Sequence, residues 1–306
     1  MKPRAISTAR ILVGISLSLG MSLHAVPVSA GETVAPAGTA PAAIVFVRGQ
    51  GHPYNGEIWT MGRHGGNQVR LTRNEVVDYE PEWSPDGTQI AWTRYAGSDF
   101  GPSDVWIMDP NGAEAHNLTR HQGDVTGPSW SPDGTRIAYA WNGHIWVIGA
   151  DGSGDHDISP SGAFDHDPAW SPDGTEIAFV SASDVFVMNA DGSDRRRITD
   201  TAGISERNPA WSPDGSRIAV SASHTRGSWH VDVMRADGAA HHIAVDLYSL
   251  QPAWSPDGSK LAFYACSDLG CALYRSSARG RHIRPLGRRR GFSDESPDYR
   301  QVIPAS

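Results

Sequence analysis

One pentapeptide, Trp-Ser-Pro-Asp-Gly, recurs five times in the 306-residue chain and constrains its fold more than any other feature. The unaltered copies begin at intervals of 47, 40, 41 and 43 residues, at Trp83, Trp130, Trp170, Trp211 and Trp254. A degenerate sixth copy occupies residues 294–299, where Tyr299 takes the place of the repeat tryptophan. Pro297 matches the proline that stands two residues before each repeat tryptophan, at Pro81, Pro128, Pro168, Pro209 and Pro252. A period near 43 residues is typical of β-propeller blades. Six such repeats fill residues 44–304.

Each repeat is predicted to contain four strands. Residues 208–211 form strand one, and a Ser-Pro-Asp-Gly turn at 212–215 leads to strand two at 217–221. In the preceding repeat, residues 184–188 alternate as strand three and residues 195–199 form the outer strand. One sheet of this kind cannot bury both of its faces, so neighbouring sheets must stack. The sequence therefore predicts an all-β, six-bladed β-propeller of four-stranded antiparallel blades.

The order of the strands predicts how the ring closes. The fold starts at residues 44–47 with a strand two and ends near residues 299–303 with a strand one. We therefore expect the N- and C-terminal strands to pair within one blade. The repeat tryptophans are expected to pack between blades, and the aspartate of each Ser-Pro-Asp-Gly to cap its own turn.

The repeat motifs resemble those of a known family. Pro-Ala-Trp-Ser-Pro-Asp-Gly, Ile-Ala-Phe, Val-Met-Asn-Ala-Asp-Gly-Ser and Arg-Ile-Thr are similar to the WD40-like repeats of the TolB propeller family, over about 260 residues. The resemblance implies a six-bladed propeller. TolB of the Tol-Pal envelope system carries an additional N-terminal α/β domain and binds a peptidoglycan-associated lipoprotein. Only residues 31–43 precede the first blade here, so we expect the resemblance to concern the propeller.

Residues 1–30 have the pattern of a secretory signal peptide. Basic residues precede an apolar stretch at residues 11–23, which is shorter than the roughly 20 residues that a bilayer-spanning anchor needs. Cleavage is expected after Ala30, with Ala25 as the second choice and an uncleaved anchor as the alternative. Residues 31–43, rich in Ala, Pro, Gly and Thr, are expected to be a disordered lead-in.

The net charge and the hydropathy of the chain restrict the cellular compartments and the classes of partner that we expect. Cleavage would leave 23 basic and 34 acidic residues, a net charge of −11, which argues against nucleic acid as a partner. The rest of the chain has no apolar run long enough to span a membrane. We expect an exported monomer in the periplasm, the cell envelope or the medium.

The two cysteines, Cys266 and Cys271, lie at the ends of a predicted hairpin loop. Export permits a disulfide, so a short structural cross-link is expected. The alternative, a redox or metal role, lacks both the Cys-x-x-Cys spacing and the remaining ligands of a zinc site.

Loops that enter strand one share a face of a propeller with loops that join strands two and three, and we expect a ligand to bind at this mouth. Acids dominate the entering loops. The predicted ligand-binding residues are Asp78, Glu80, Asp165, His166, Asp167, Glu206, Arg207 and Asp294.

Oxygen-bearing side chains also predominate at the third position before each repeat tryptophan or its counterpart. The residues there are Glu80, Gly127, Asp167, Asn208, Gln251 and Ser296. Such a ring favours Ca²⁺, with Glu80 and Asp167 as ligands, or a basic segment of a partner. The alternative is that these groups are solvated loop carboxylates and strand-start hydrogen-bonding groups.

No catalytic set can be assembled from the motifs. The chain lacks a Gly-x-Ser-x-Gly elbow. His166 between two aspartates is either a general base or a solvated loop residue, and the adjacent His241 and His242 lie in a predicted outer strand. Arginines crowd the last blade, at Arg275, Arg279, Arg281, Arg284, Arg288, Arg289 and Arg290. They are interpreted as a solvated edge, with attachment to an anionic cell-wall polymer as the alternative.

The sequence therefore favours a binding scaffold for a protein, a peptide or a cation at an acidic channel mouth, with no cofactor other than Ca²⁺ in the channel. One alternative is a metal-assisted hydrolase or lyase acting on carbohydrate or a lactone, by analogy with other six-bladed propellers. A purely structural envelope protein without a discrete ligand is the third interpretation.

Overall fold

Every described strand belongs to one of six antiparallel sheets, and each sheet has four strands. This arrangement, found in a computed structural model of the chain, confirms the six-bladed β-propeller. The structure describes residues 44–50, 56–97, 101–121, 123–159, 164–224, 228–267, 270–286 and 292–299. The predicted signal peptide at 1–30 and lead-in at 31–43 lie outside these residues. No helix in the described ranges is long and apolar enough to cross a membrane.

The strands follow one another along the chain in a repeating order. Those of the first half are β1 (Ile44–Gln50), β2 (Gly56–Met61), β3 (Val69–Arg70), β4 (Asp78–Trp83), β5 (Ile90–Tyr95), β6 (Ser103–Met108), β7 (His116–Asn117), β8 (Val125–Trp130), β9 (Arg136–Trp141), β10 (His144–Gly149), β11 (His156–Asp157) and β12 (Asp165–Trp170). Those of the second half are β13 (Glu176–Ser181), β14 (Asp184–Asn189), β15 (Arg196–Arg197), β16 (Ser205–Trp211), β17 (Arg217–His224), β18 (Ser228–Arg235), β19 (His242–Val245), β20 (Ser249–Trp254), β21 (Lys260–Ser267), β22 (Gly270–Ser277), β23 (Arg284–Pro285) and β24 (Phe292–Tyr299).

Blade 1 joins the two ends of the propeller, because its strand order is β24-β1-β2-β3. The register runs from Ile44 opposite Tyr299 to Gln50 opposite Phe292. Blades 2 to 6 are β4–β7, β8–β11, β12–β15, β16–β19 and β20–β23. The pairing confirms that the C-terminal segment supplies the inner strand of the first blade.

The repeat tryptophans pack between blades, as predicted. Trp254 of blade 6 is 6% exposed and lies in one apolar cluster with Val231 of blade 5. Its indole Nε1 donates a hydrogen bond to the Ala210 carbonyl of blade 5 at 3.0 Å, and the Arg217 guanidinium lies 4.6 Å from the ring centre. Loss of such a side chain typically costs about 3 to 5 kcal/mol.

The Ser-Pro-Asp-Gly segments form the turns between strands one and two. In blade 5, the Asp214 carboxylate accepts hydrogen bonds from the Ser212 hydroxyl at 2.6 Å and from the Ser216 backbone N–H at 3.1 Å. Gly215 has a φ of +69°, which a glycine adopts at little cost. The turn geometry confirms the local capping role of the aspartate.

The outer strand of blade 4 is shorter than the predicted 195–199, because only Arg196 and Arg197 pair with β14. After these two residues the Val185 carbonyl still accepts a hydrogen bond from the Ile198 N–H at 2.9 Å. The Val185 N–H instead donates to the Thr199 hydroxyl at 2.8 Å, so a side chain takes the place of a backbone acceptor there. Blade 6 contains the predicted disulfide, which joins Cys266 to Cys271 across the β21–β22 pair.

Candidate functional site

Four of the eight predicted ligand-binding residues line one cavity of about 420 Å³, here called the mouth cavity. They are Glu80, His166, Asp167 and Arg207. The other lining residues are Tyr79, Asn208, Trp229, Leu250, Gln251 and Tyr264, so inner strands and strands two and three of four blades contribute. The cavity combines two carboxylates with three large aromatic side chains.

A β-bulge directs Glu80 into this cavity. Tyr79 pairs with Thr93 and Glu82 with Ala91, so Glu80 and Pro81 together face a single residue of β5. The same position has a positive φ in all five intact repeats: Glu80 (50°), Gly127 (63°), Asp167 (53°), Asn208 (49°) and Gln251 (56°). Bulges of this kind redirect a side chain, and left-handed backbone at non-glycine residues is a known feature of binding sites.

Hydrogen bonds from the bulged residues connect different blades around the channel. Glu80 Oε2 accepts a hydrogen bond from the Gly127 N–H at 2.9 Å, and Asp167 Oδ2 accepts one from the Asn208 N–H at 2.9 Å. Further round, the Gln251 side-chain amide donates to the Tyr79 hydroxyl at 2.9 Å. These contacts hold both carboxylates in fixed positions near the axis of the ring.

The two carboxylates differ in proton affinity. Burial and then the negative charge of Asp167 raise the pKa of Glu80 to about 7, against the opposing effects of the Gly127 N–H, Thr93 and His166. Burial also acts to raise the pKa of Asp167, but His166, the Asn208 N–H and Arg207 outweigh it and lower the pKa. Near neutral pH the cavity therefore holds one ionised carboxylate, Asp167, and a second, Glu80, that is protonated in part of the molecules.

Two basic groups flank the carboxylates. His166 Nδ1 lies 3.3 Å from Asp167 Oδ2, and the Arg207 guanidinium lies 5.5 Å from the centre of the Trp229 ring. His166 is thus in contact with a carboxylate rather than isolated in a solvated loop.

The structure does not place Asp78, Asp165 and Glu206 in the mouth cavity, although the sequence grouped them with its residues. All three are completely buried at the start of an inner strand. Asp78 accepts two hydrogen bonds from the Arg94 guanidinium, at 2.6 and 2.9 Å. Asp165 accepts two from Arg195, at 2.5 and 2.9 Å. Asp78 and Asp165 are thus neutralised within the propeller. The three carboxylates are here called the buried acids.

Glu206 differs from the other buried acids because no arginine among the described residues pairs with it. It accepts hydrogen bonds from the Thr199 hydroxyl and from the Val185 N–H, the latter at 3.2 Å. His241 Nδ1 lies 3.8 Å away. Burial raises the pKa of Glu206, and the hydrogen bonds connect blade 5 to blade 4. The eighth predicted residue, Asp294, belongs to β24, and its side chain lies outside the described residues.

A second cavity, of about 250 Å³, lies on the side of the Ser-Pro-Asp-Gly turns and is here called the lower cavity. Glu80, Asn208 and Gln251 line both cavities. Glu82 and Asp298 also line the lower one, and sequence reasoning missed them as site residues. Burial and the charge of Asp298 raise the pKa of Glu82 well above its ordinary value.

A positional signal for these two acids exists in the sequence. The residue directly before the repeat tryptophan or its counterpart is Glu82, Ser129, Ala169, Ala210, Ala253 or Asp298. Four small residues and two acids at one channel-facing position would have indicated a second acidic level.

The described residues contain no group of three or more His, Cys, Asp or Glu side chains arranged to hold a metal ion. The predicted Ca²⁺ ligands Glu80 and Asp167 are brought into one cavity, where the Asn208 and Gln251 side chains offer amide oxygens. Ca²⁺ at this place stays a prediction.

Solved structures with the same fold include relatives of low sequence identity. The crystal structure of TolB from Acinetobacter baumannii is 18% identical with a TM-score of 0.73, and the match covers 84% of this chain and 66% of that one. This chain thus spans just under two thirds of that TolB. A putative TolB from Agrobacterium tumefaciens is 17% identical with a TM-score of 0.63, over 85% and 99% of the two chains. A chain of a nidogen–laminin complex is 10% identical with a TM-score of 0.70, over 85% and 99%.

Identities this low show a shared fold. No curated protein matches the chain in sequence. The family model described as the TolB beta propeller domain matches residues 35–299, which is most of the chain. The chain therefore belongs to the TolB beta propeller domain family.

Proposed function

We propose that this propeller is an exported scaffold that binds a protein or peptide at the mouth cavity, with a basic side chain of the partner lying between Glu80 and Asp167. The observation that carries the proposal is the presence of two carboxylates in one cavity, one of which has a pKa of about 7. A cation between them would replace the proton on Glu80 and offset the repulsion between the two charges.

The walls of the cavity suit a long basic side chain. Tyr79, Trp229 and Tyr264 provide aromatic surface against which an alkyl stem or a cationic head can pack. A volume of about 420 Å³ is at the low end of ligand pockets and accommodates one side chain with water. The cavity therefore favours insertion of a single residue over enclosure of a large ligand.

Exposed aromatic residues on the mouth face support a protein partner rather than a free ion. Phe164 directly precedes β12 and is 73% exposed, and Tyr248 directly precedes β20 and is 42% exposed. Both lie in loops that enter inner strands, and the Phe164 ring is 6.1 Å from that of His166. Large aromatic side chains are frequent anchors of protein interfaces. They would surround an inserted basic residue with apolar contacts.

The sequence and the fold relatives are consistent with this role. The pattern of residues 1–30 supports export to the periplasm, the envelope or the medium. A propeller of similar fold occurs in a nidogen–laminin complex, which is an assembly of proteins. No described residue gives specific support to the alternative of a metal-assisted hydrolase or lyase, and we do not propose it.

The experiment is calorimetric titration of the protein with a library of short peptides, each in a lysine form and a matched glutamine form. A peptide that binds through the mouth should lose at least about 10-fold in affinity in its glutamine form. The double variant Glu80→Gln and Asp167→Asn should cause a similar loss. The introduced amides keep an oxygen for the Gly127 and Asn208 N–H groups, so the geometry of the bulges should persist.

Glu114→Gln is the matched control, because Glu114 is an exposed acid in the β6–β7 turn. It removes a carboxylate away from the mouth, as each single member of the double variant does at the mouth, and it should leave affinity unchanged. Millimolar Ca²⁺ should compete with the peptide and raise the melting temperature of the parent but not of the double variant. Equal peptide binding by the parent and the double variant would show that the mouth carboxylates are not the site.

A further inference from the structure

Basic side chains gather where blade 6 meets blade 1, at the face opposite the mouth. The set is here called the basic patch and comprises Arg63, Lys260, Arg275, Arg279, Arg281 and Arg284. Lys260 begins β21 directly after a Ser-Pro-Asp-Gly turn and pairs with Ser277 at the end of β22. Arg63 lies in the β2–β3 turn of blade 1. The topology therefore places all six at the end of the propeller where these turns lie.

Two guanidinium groups of the patch compete for one imidazole. Arg275 Nη1 lies 3.0 Å from His64 Nδ1, and Arg63 Nε lies 3.3 Å from His64 Nε2. A neutral imidazole has one acceptor nitrogen, so it can accept from only one of them. Desolvation and then the positive charges of Arg275, Arg63 and Lys260 lower the pKa of His64. Protonation of His64 would add another positive charge beside the two guanidinium groups and so increase their repulsion. One guanidinium donor is left facing an N–H group.

Strand pairing adds a second conflict. Arg275 of β22 lies directly opposite Arg284 of β23, and like charges at such positions destabilise a sheet. Within the described part of the chain, no acid forms an ion pair with any member of the basic patch.

Blade 4 provides the contrast, since three arginines in and next to its outer strand all have acidic partners. Arg195 pairs with Asp165 at 2.5 Å, Arg196 with Glu176 at 2.7 Å, and Arg197 with Asp184 at 2.7 Å. Acids of the same blade can therefore neutralise an arginine-rich outer strand in this protein. The basic patch has no such acidic partners among the described residues.

We propose that the basic patch binds an anionic polysaccharide, whose sulfate or carboxylate groups would lie between the competing guanidinium groups. Arginine forks match such oxyanions in geometry. His64 can accept a hydrogen bond from Arg63 or from Arg275 but not from both, and a bound anion would accept the remaining one. The anion would also reduce the repulsion between Arg275 and Arg284.

Other classes of polyanion fit the surface less well. Single-stranded nucleic acids are held by stacking on aromatic side chains, and membranes by buried apolar ones. The large apolar residues that are exposed in the described part of the chain are Phe164, Ile243 and Tyr248, and none belongs to the patch. The inference is independent of the proposed function, because the patch and the mouth lie on opposite faces.

The test measures binding of the full chain to heparin and to polygalacturonate, with dextran as the uncharged probe, at 50 and 200 mM NaCl. Both anionic polymers should bind, and affinity should fall about 10- to 50-fold between the two salt concentrations, as expected for a few released counterions. Dextran should not bind. The triple variant Arg275→Gln, Arg281→Gln and Arg284→Gln should lose about 10-fold or more at 50 mM NaCl.

The matched control is Arg196→Gln, Arg197→Gln and Arg235→Gln, which removes the same charge from arginines that have acidic partners. It should change affinity less than about 3-fold. If the first triple variant melts early, the pair Arg279→Gln and Arg281→Gln, in the exposed β22–β23 turn, replaces it with an expected loss of about 5-fold.

Equal losses in the patch variant and the control would overturn the proposal, since they would reflect net charge alone. Absence of polysaccharide binding by the parent would overturn it too. So would tighter binding to duplex DNA or to anionic phospholipid vesicles than to either polysaccharide, because the occupant would then belong to another class.

Discussion

Asp165 and Asp167 lie two residues apart on the same inner strand, and their surroundings are opposite. Asp165 is completely buried and accepts two hydrogen bonds from Arg195, whose guanidinium lies 4.7 Å from the Phe179 ring and 4.8 Å from the Phe186 ring. Asp167 lines the mouth cavity and contacts His166. The first carboxylate stabilises the blade, and the second is available to a ligand.

The cause of the difference is the bulge at the channel. In a regular strand, residues two apart share a face, so the pair would have the same environment. The register shift between His166 and Ala169, together with the positive φ of Asp167, separates them. Acidic composition of a loop therefore does not identify a ligand site in this fold; the position relative to the bulge does.

Replacing a buried acid should have the largest effect. Asp165→Asn leaves the Arg195 charge, with only 18% of its side chain exposed, without an anion, and should lower the free energy of unfolding by about 3 to 5 kcal/mol. Asp167→Asn should change it by less than about 1 kcal/mol, because the amide oxygen still accepts from Asn208. Urea unfolding monitored by tryptophan fluorescence gives both values.

Glu176→Gln is the control for the first prediction, since Glu176 pairs with Arg196 in the same blade at a partly exposed site. An exposed pair contributes about 0 to 1 kcal/mol. If Asp165→Asn destabilised the protein no more than Glu176→Gln, the distinction between the buried acids and the acids of the mouth cavity would have no energetic basis.

Glu80, an acid of the mouth cavity, should make the free energy of unfolding depend on pH in a distinct way. Its pKa of about 7 in the folded protein exceeds the ordinary 4.5, so the folded state binds the proton more tightly. The free energy of unfolding should therefore fall by up to about 3 kcal/mol, through this group, as the pH rises from about 4.5 to 7. Glu80→Gln should remove this dependence, and the difference between the two stability curves isolates it. A difference that does not vary with pH would contradict the assignment.

The turn aspartates should show a smaller effect of the opposite sign. Hydrogen bonds from Ser212 and Ser216 lower the pKa of Asp214 to about 2. Stability from this group is present above the ordinary pKa and is lost as the pH falls towards 2. Because the turn is exposed, Asp214→Asn should cost less than about 1 kcal/mol at pH 6, and this cost should become progressively smaller as the pH falls towards 2. An acid titration of both proteins measures it, and a constant cost over that range would exclude the charge effect.

The blades and their closure could be predicted because the repeat carries its own turn chemistry. Trp-Ser-Pro-Asp-Gly marks one place in each blade, and the place of residues 44–47 in the repeat requires a partner strand from the C-terminus. The hairpin disulfide followed from the short separation of Cys266 and Cys271 in a predicted loop.

The candidate site could be predicted only in part. Glu80 and Asp167 were identified by their common distance from the repeat tryptophan. The burial of Asp78 and Asp165 depends on Arg94 and Arg195, which are 16 and 30 residues further along the chain. No local pattern indicates such pairing, because it arises from packing within the folded blade.

The most direct measurement of the central claim is the titration of the Glu80 carboxyl group by carbon-detected NMR, with the resonance assigned through its absence in Glu80→Gln. The free protein should show a pKa of about 7. Saturation with a lysine-bearing peptide that binds the mouth should lower it by at least about 1 unit, because an adjacent cation favours the ionised form. A pKa near 4.5 in the free protein, or no change when the peptide binds, would contradict the account of the mouth as a cation-binding site.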